Sequence, residues 1–349
     1  MNKKTRNWLL LGMAFCLTIG LWATGSLYAS NTGKNVGKTG LEAGIDIAPD
    51  DSKLLFSYSI NGIASLYTAN PDGTDVKRLV SLSGHSLLQP VYSSNGKKIL
   101  TLARPIEAEK KTVEQALYVM NADGSELHLL SEPHDLITDA VFAPDNQTVY
   151  YLKAGVFKNY SPIASKRPHD YDLFSIDVQG KNKRQITHTK EYQMSDLSIS
   201  SDGQKLFFTK FTNTSDNRDF SQDKLSLFAT DLQGKTLASY LPVNEVLGTP
   251  EMYDVHISPD NTQIAFSAVS PASSNKTFEY ELFTMDVATK QAKQITTLHK
   301  HTDSPVYFHK QNKLLFLEDI GWPAESTYQL RTVNTDGSDL QTLQIAVPK

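Results

Sequence analysis

The chain has 349 residues, with 34 Lys and Arg against 38 Asp and Glu, and is 40% hydrophobic and 21% charged. That is the composition of ordinary globular protein, which excludes disorder and collagen-like structure. The net charge of -4 offers no basic footprint for nucleic acid. At roughly 150 residues per domain the length allows two domains, although one all-β domain reaches this size.

The chain opens with Lys3, Lys4 and Arg6 and no acid, then runs uncharged and mostly apolar from Trp8 to Ala29, 22 residues. A basic start ahead of an apolar stretch is the pattern of an export signal. Two outcomes are open. Cleavage near Gly25 or Ala29 is served by the small residues of Ala23-Thr24-Gly25. Retention as an anchor helix is served by length, since about 20 apolar residues cross a bilayer. In both cases the rest of the chain is expected outside the cytoplasm, anchored or secreted. Membrane contact is expected only through residues 8–29. The single cysteine, Cys16, lies inside this run and follows Phe15 rather than the small residue that lipid attachment usually needs. The exported part therefore has neither disulfide nor thiol chemistry. Residues 30–43, SNTGKNVGKTGLEA, are small, polar and Gly-rich, the composition of a linker. Within them GKNVGKT places three residues between its glycines where a phosphate-binding loop needs four.

From residue 44 onward a two-part unit occurs six times. The first part reads APDDSKLLF (48–56), SSNGKKILT (93–101), APDNQTVYY (143–151), SSDGQKLFF (200–208), SPDNTQIAF (258–266) and FHKQNKLLF (308–316). The second reads LYTANPDGTDVKRL (66–79), LYVMNADGSELHLL (117–130), LFSIDVQGKNKRQI (173–186), LFATDLQGKTLASY (227–240), LFTMDVATKQAKQI (282–295) and LRTVNTDGSDLQTL (330–343). Asp-Gly and Asp-Asn supply the positive φ and the side-chain hydrogen bonds of tight turns, so each part is a hairpin. The flanking runs are β-branched, aromatic and Leu-rich, as strands are. Two hairpins make a four-stranded antiparallel sheet, A-B-C-D. Runs apolar on both faces suit sheets packed between two neighbours, and a radial array of such sheets is a β-propeller. The expected fold is all-β: a six-bladed β-propeller of four-stranded antiparallel blades over residues 44–349, preceded by the N-terminal apolar export or anchor helix (1–29) and a flexible linker (30–43).

The SPDG-type turn with its apolar strand, followed by L[YF]xx[ND]xxG, resembles the TolB-type propeller repeat, and all six copies carry it. The same repeat is similar to those of prolyl-oligopeptidase-like propellers. The resemblance is specific for fold and poor for function. TolB-like proteins of the Tol–Pal system place an α/β domain before the propeller, where here a short linker stands. Peptidase relatives add a hydrolase domain, and no G-x-S-x-G nucleophile elbow occurs in this sequence. The expectation is a TolB-like propeller without either of those domains.

In antiparallel blades the A–B and C–D turns share one face of the disc, and the B–C and D–A connections share the other. The B–C connections 104–115, 154–172, 211–224, 269–281 and 319–327 are long and mutually unlike. Binding residues concentrate on loops held by a rigid scaffold, which makes this the expected binding face. In blade 3, Tyr160, Arg167, His169 and Tyr171 form an aromatic and basic mix suited to a peptide or sugar. Equally, the aromatics would anchor the loop to the disc. Trp322 is a further candidate, as a platform or as packing for blade 6. Four residues before each A–B turn stand Gly44, Gln89, Asp139, Asp196, Asp254 and Ser304. On the innermost strand these ring the channel mouth, and Gln89, Asp139, Asp196 and Asp254 are the channel-mouth binding candidates. The competing reading makes each Asp a cap for its own loop. His85, His134, His188, His299 and His301 fall in D–A connections and are weak metal candidates. Those connections lie far apart around the disc, whereas ligands must sit about 2–2.5 Å from one ion.

No nucleophile–base set, metal cluster or cofactor fingerprint stands out, so no catalytic residue and no cofactor is expected. The favoured function is a non-catalytic extracytoplasmic propeller that binds a protein or peptide, such as a cell-envelope component, through the long-loop face and channel mouth. The alternative is a metal-dependent propeller enzyme or sensor acting on a carbohydrate or small molecule.

Overall fold

A computed structural model describes residues 37–106, 114–159, 166–212, 224–273 and 277–347. The apolar run 8–29 lies outside the described residues, among which no helix is long and apolar enough to cross a membrane. The described part is all-β, and its strands belong to one compact unit, Thr39–Lys349.

Each sequence repeat folds as four consecutive antiparallel strands. The first group is β1 (Gly40–Ile47), β2 (Leu54–Ile60), β3 (Ile63–Ala69) and β4 (Lys77–Val80). The second is β5 (His85–Tyr92), β6 (Lys98–Pro105), β7 (Ala116–Asn121) and β8 (His128–Leu129). The third is β9 (Ile137–Phe142), β10 (Thr148–Asn159), β11 (Lys166–Asp177) and β12 (Arg184–Gln185). The fourth is β13 (Met194–Ile199), β14 (Leu206–Phe211), β15 (Leu225–Thr230) and β16 (Thr236–Tyr240). The last two are β17 (Tyr253–Ile257), β18 (Gln263–Val269), β19 (Tyr280–Asp286) and β20 (Ala292–Gln294), then β21 (His301–Tyr307), β22 (Lys313–Asp319), β23 (Tyr328–Asn334) and β24 (Gln341–Leu343).

The molecule is a β-propeller of four-stranded antiparallel blades, with a correction to the expected number. The first four groups are separate sheets, whereas β17 to β24 form a single eight-stranded sheet. The join is one parallel pair, Tyr280 with His301, where the start of β19 meets the start of β21. It arises because the connection after β20 returns close to the start of β19, where Tyr280 N–H donates to the Lys300 carbonyl. A second difference lies at the start: β1 begins at Gly40, inside the segment expected to be linker.

Strands buried on both faces drive the assembly. In β2, Leu54 and Phe56 pack into the cluster shared with Leu315, Leu317 and Leu330, while Leu55 between them packs with Leu87, Ile99 and Met120. Alternate side chains therefore serve two neighbouring sheets, as the period of two requires. The same holds in β6, where Leu100 and Leu102 join Tyr151 and Phe142, and Ile99 faces the other way. The two halves of the eight-stranded sheet also pack on each other, through Leu282 and Ala265 against Leu314 and Phe316. Fully burying one such side chain contributes about 1.5–3 kcal/mol, and no single sheet can bury both of its faces.

The C–D hairpins are closed as their sequences imply. At 70–74, Gly73 N–H donates to the Asn70 carbonyl and Asp72 accepts from both the N–H and the hydroxyl of Thr74. These acidic turns are saturated by their own chain.

The ring closes without exchanging a strand: β1 pairs with β2, and β24 with β23. Closure rests on the Leu54–Phe56–Leu317–Leu330 cluster and on Asp51, which accepts the N–H groups of His309 (2.7 Å) and Lys310 (2.9 Å). Asp51 sits at φ 60°, a left-handed conformation that Asn also tolerates. Asp51→Ala should lower unfolding free energy by about 1–3 kcal/mol, since it strands two N–H donors. Asp51→Asn should cost less than half as much, and urea titration of the two variants checks the difference.

Candidate functional site

The innermost strands β1, β5, β9, β13, β17 and β21 surround a cavity of about 300 Å³ on the propeller axis. All six register positions read from the sequence line it: Gly44, Gln89, Asp139, Asp196, Asp254 and Ser304. A β-bulge interrupts each of these strands at or next to that position. Five of the six residues adopt left-handed φ: Gly44 at 91°, Gln89 at 47°, Asp196 at 57°, Asp254 at 51° and Ser304 at 50°. A bulge adds an unpaired residue, bends the strand and re-aims a side chain, which here means toward the axis. For a non-Gly residue the left-handed conformation costs roughly 1–2 kcal/mol. At Gly44 a side chain is impossible, because a Cβ there would stand 2.8 Å from the Gln89 Cα.

Several of the inward carboxyls clasp the neighbouring sheet. Asp46 accepts the N–H of Tyr92 at 2.6 Å, and Asp139 accepts those of Leu197 at 2.7 Å and Ala140 at 2.8 Å. Ser304 hydroxyl completes the circuit from last sheet to first by accepting the N–H of Gly44 at 3.2 Å. Burial nevertheless outweighs these bonds and pushes both Asp46 and Asp139 up to about 7.

Asp196, Asp254 and Asp303 form a tighter electrostatic group. Burial raises Asp196, against the bonds donated by Thr209 (2.5 Å) and Ser195 (3.1 Å). Asp254 is raised well above the usual carboxylate range by burial and then by the charges of Asp303 and Asp196, with no opposing hydrogen bond. Asp303 accepts from Ser304 hydroxyl at 2.5 Å and from Tyr328 hydroxyl at 3.2 Å. His256 also lines the cavity; burial pushes it down to about 4, so its ring is neutral at pH 7. The arrangement can therefore hold protons or meet a cationic group at the axis.

Asp46, Asp303 and His256 were not among the sequence candidates. Asp46 and His256 each follow a register position by two residues, and Asp303 precedes one by a single residue. Alternation places Asp46 and His256, two residues on, on the same side as their register positions, whereas Asp303, one residue away, reaches the cavity beside the bulge between Asp303 and Val306.

The loop candidates separate from one another. The described parts of the segment, 154–159 and 166–172, are strand and not irregular loop: β10 and β11 pair from Thr148–Asp177 out to Asn159–Lys166, with Val156, Phe157 and Tyr171 supplying β-favouring side chains. Tyr160 lies outside the described residues. Arg167 is exposed at the ribbon's end, its guanidinium 5.7 Å from the centre of the Tyr192 ring. His169 and Tyr171 are buried, and His169 bonds Asp170 at 2.7 Å and stacks on Tyr192. Both anchor the ribbon instead of facing solvent. Trp322 is half-buried, donates its indole N–H to the Phe278 carbonyl at 2.7 Å, and packs near His301 (5.0 Å) and Tyr280 (6.0 Å). Tyr253 joins edge-on to Tyr280, giving an aromatic cluster beside Asp254 and Asp303.

The five histidines do not converge. His85 bonds the Ser83 carbonyl, His134 pairs with Glu114, His299 with Glu279, His188 is exposed, and His301 belongs to the aromatic cluster. Among the described residues no group of three or more His, Cys, Asp or Glu is placed to hold a metal ion.

These features define a TolB-like β-propeller with a carboxylate-lined axial cavity. Among solved structures, the chain is similar to TolB from Acinetobacter baumannii, with TM-score 0.55 and 16% identity over 91% of this chain. It spans 66% of that TolB, just under two thirds of its length. An oligogalacturonate lyase in complex with manganese gives TM-score 0.54 and 14% identity, covering 88% of this chain and 78% of the lyase. A puromycin-hydrolysing peptidase of Mycobacterium tuberculosis gives TM-score 0.55 and 10% identity, covering 90% of this chain and 55% of the peptidase. No family model matches the sequence, and no curated protein matches it. At these identities the likeness concerns the fold.

The raised carboxyls set the sign of the pH dependence. Asp46 and Asp139 are protonated more readily in the fold than in the unfolded chain, so their contribution is full below about pH 4 and is lost as pH rises toward about 7. Each group adds a slope of at most about 1.4 kcal/mol per pH unit, reduced by water in the cavity they face. Asp139→Asn should flatten the loss of stability between pH 5 and pH 8, as measured by urea unfolding at each pH.

Proposed function

We propose that this protein is a non-catalytic, extracytoplasmic propeller that binds a protein or peptide of the cell envelope at the mouth of its axial channel and the adjoining B–C and D–A connections. Residues 1–29 act as the signal peptide or anchor and residues 30–39 as tether. The eight-stranded sheet serves as two blades of a six-part ring. One observation carries the binding reading: five separate strands aim Gln89, Asp139, Asp196, Asp254 and Ser304 into one cavity, all but Asp139 at a cost in backbone strain. Strained backbone repeated at one place is characteristic of sites where geometry serves recognition. Asp139 doubles as an inter-sheet clasp, whereas Gln89 and Asp254 have no such structural duty. They are the residues expected to meet the partner, with Arg167 and Trp322 at the periphery.

A second reading, a metal-dependent enzyme or sensor for a carbohydrate or small molecule, draws on the aromatic cluster of Tyr253, Tyr280, His301 and Trp322 beside the acidic mouth. Stacked aromatic faces suit sugar rings as well as peptide side chains.

The test is capture of envelope proteins by the exported chain, followed by affinity measurement on the captured partner. Replacing Gln89 and Asp254 together with Ala should weaken binding about thirtyfold, the effect of losing a hot spot of ~2 kcal/mol, without lowering the melting temperature. Retained affinity in that variant overturns the channel-mouth reading. A stoichiometric divalent ion whose removal by chelator lowers the melting temperature would favour the second reading.

A further inference from the structure

We propose that the cleft between the fifth and sixth A–B turns binds a short neutral saccharide, on the face of the propeller opposite the B–C connections. The cleft shares no residue with the axial cavity.

Five of the six A–B turns interlock around the ring. In the turns 48–51, 93–96, 143–146, 200–203 and 258–261 the last residue is left-handed, and its N–H donates to the carbonyl of the first. Those last residues are Asp51, Gly96, Asn146, Gly203 and Asn261, the types that accept this conformation most readily. Each also engages the turn of an adjacent sheet. Gly96 and Gly203 lie against Pro49 and Pro144, where a Cβ would stand 3.4 and 3.3 Å from the ring. Asn146 accepts from Ser94 hydroxyl and Asn95 N–H, Asn261 from Ser201 N–H, and Asp51 from the N–H groups of His309 and Lys310.

The sixth turn, Phe308-His309-Lys310-Gln311, breaks the pattern. Gln311 is not left-handed and does not bond back to Phe308; instead Lys313 N–H donates to the Gln311 carbonyl at 2.8 Å. Among the described residues no hydrogen bond joins the fifth turn to the sixth. A cleft of about 370 Å³ lies between them, with Pro259 on its wall. It continues past Gln311, Asn312 and Thr335 as a hollow of about 440 Å³.

The walls suit hydroxyl groups. The side chains of Gln263, Gln311, Asn312 and Thr335 line the cleft and, among the described residues, have no hydrogen-bond partner. A carboxamide or hydroxyl both donates and accepts, as a sugar hydroxyl does. The charged groups do not define an ion site. Asp260 commits one oxygen to Ser258 hydroxyl (2.6 Å), Thr262 N–H (3.1 Å) and Thr262 hydroxyl (2.8 Å), which holds its carboxyl below the usual range. Its other oxygen takes none of these bonds, and a carboxylate accepts strongly from a hydroxyl. His309 gives its Nε2–H to the Ile47 carbonyl at 3.3 Å. Lys310 is then the one ammonium in the lining, balanced by Asp260. A neutral ligand rich in hydroxyls fits that balance, with its C–H face on Pro259. The cleft stands at the small end of the roughly 300–1,000 Å³ that ligand sites occupy, and the hollow beyond it gives room for a further sugar unit.

The full chain, purified in a detergent without a sugar headgroup, tests this by calorimetry and amide hydrogen exchange with maltotriose, cellotriose and tri-N-acetylchitotriose in turn. At least one should bind with a dissociation constant at or below about 1 mM and slow exchange in 258–263 and 308–313. Asn312→Ala should weaken that binding about fivefold, the loss of one hydrogen bond. Gln311→Gly restores the residue type that packs on Pro49 and Pro144. By closing the cleft it should weaken binding at least about tenfold, with the melting temperature unchanged or higher. Gln89→Ala with Asp254→Ala should leave sugar affinity as in the parent. If none of the three sugars binds, or if both turn variants keep parental affinity, the saccharide site is overturned while the channel-mouth reading stands. Protection of the same segments by the peptide Gly-Asn-Gly, with none from any sugar, assigns the cleft to a peptide and overturns the saccharide site as well.

Discussion

The structure depends on strands that are apolar on both faces and can be covered only by other sheets. Leu54, Leu55 and Phe56 are fully buried yet divide between two clusters, each shared with a different neighbouring sheet. A flat stack would leave its two outermost faces in water. A closed ring leaves none, and so the first and last groups meet through Leu315, Leu317 and Leu330. Closure follows from burying apolar area, and Asp51 and Ser304 refine it with hydrogen bonds across the seam.

The axis is a consequence of the same packing. Six innermost strands cannot converge indefinitely, and each bends away at a bulge, leaving a cavity whose wall is made of the residues at those bulges. Five carboxyls reach it: Asp46, Asp139, Asp196, Asp254 and Asp303. Two uses of a carboxylate meet there. Asp46 and Asp139 spend their oxygens on backbone N–H groups of the next sheet, whereas Asp254 has burial and like charge around it and no compensating bond. That contrast separates residues that hold the ring together from those placed to receive something.

Away from the axis, the long connections differ in kind. Residues 154–159 and 166–172 are regular β-structure stiffened by the buried His169 and Tyr171, with Lys158, Lys166 and Arg167 exposed at its outer pairs. The connection containing Trp322 folds back onto Tyr280 and His301 and builds an aromatic wall near the channel mouth. The single Tyr280–His301 pair in that region also joins the last two four-strand groups into one sheet.

Reading residues in order is enough to find the hairpins, because Asp-Gly turns and alternating apolar runs act within about ten neighbours along the chain. The channel register was legible for the same reason: Gln89, Asp196 and Asp254 stand a fixed four residues before a recognisable turn. What depends on bulges was not. Asp303 reaches the cavity because its strand departs from alternation there, and nothing local in the sequence announces where a strand will absorb an extra residue. Nor does alternation reveal whether Tyr171 and His169 face water or a neighbouring sheet, which distant residues such as Tyr192 decide. The repeat and its turns are thus properties of the sequence. The number of separate sheets, the company each carboxylate keeps and the exposed end of the ribbon arise only when remote segments pack, since they follow from contacts between residues far apart in the chain.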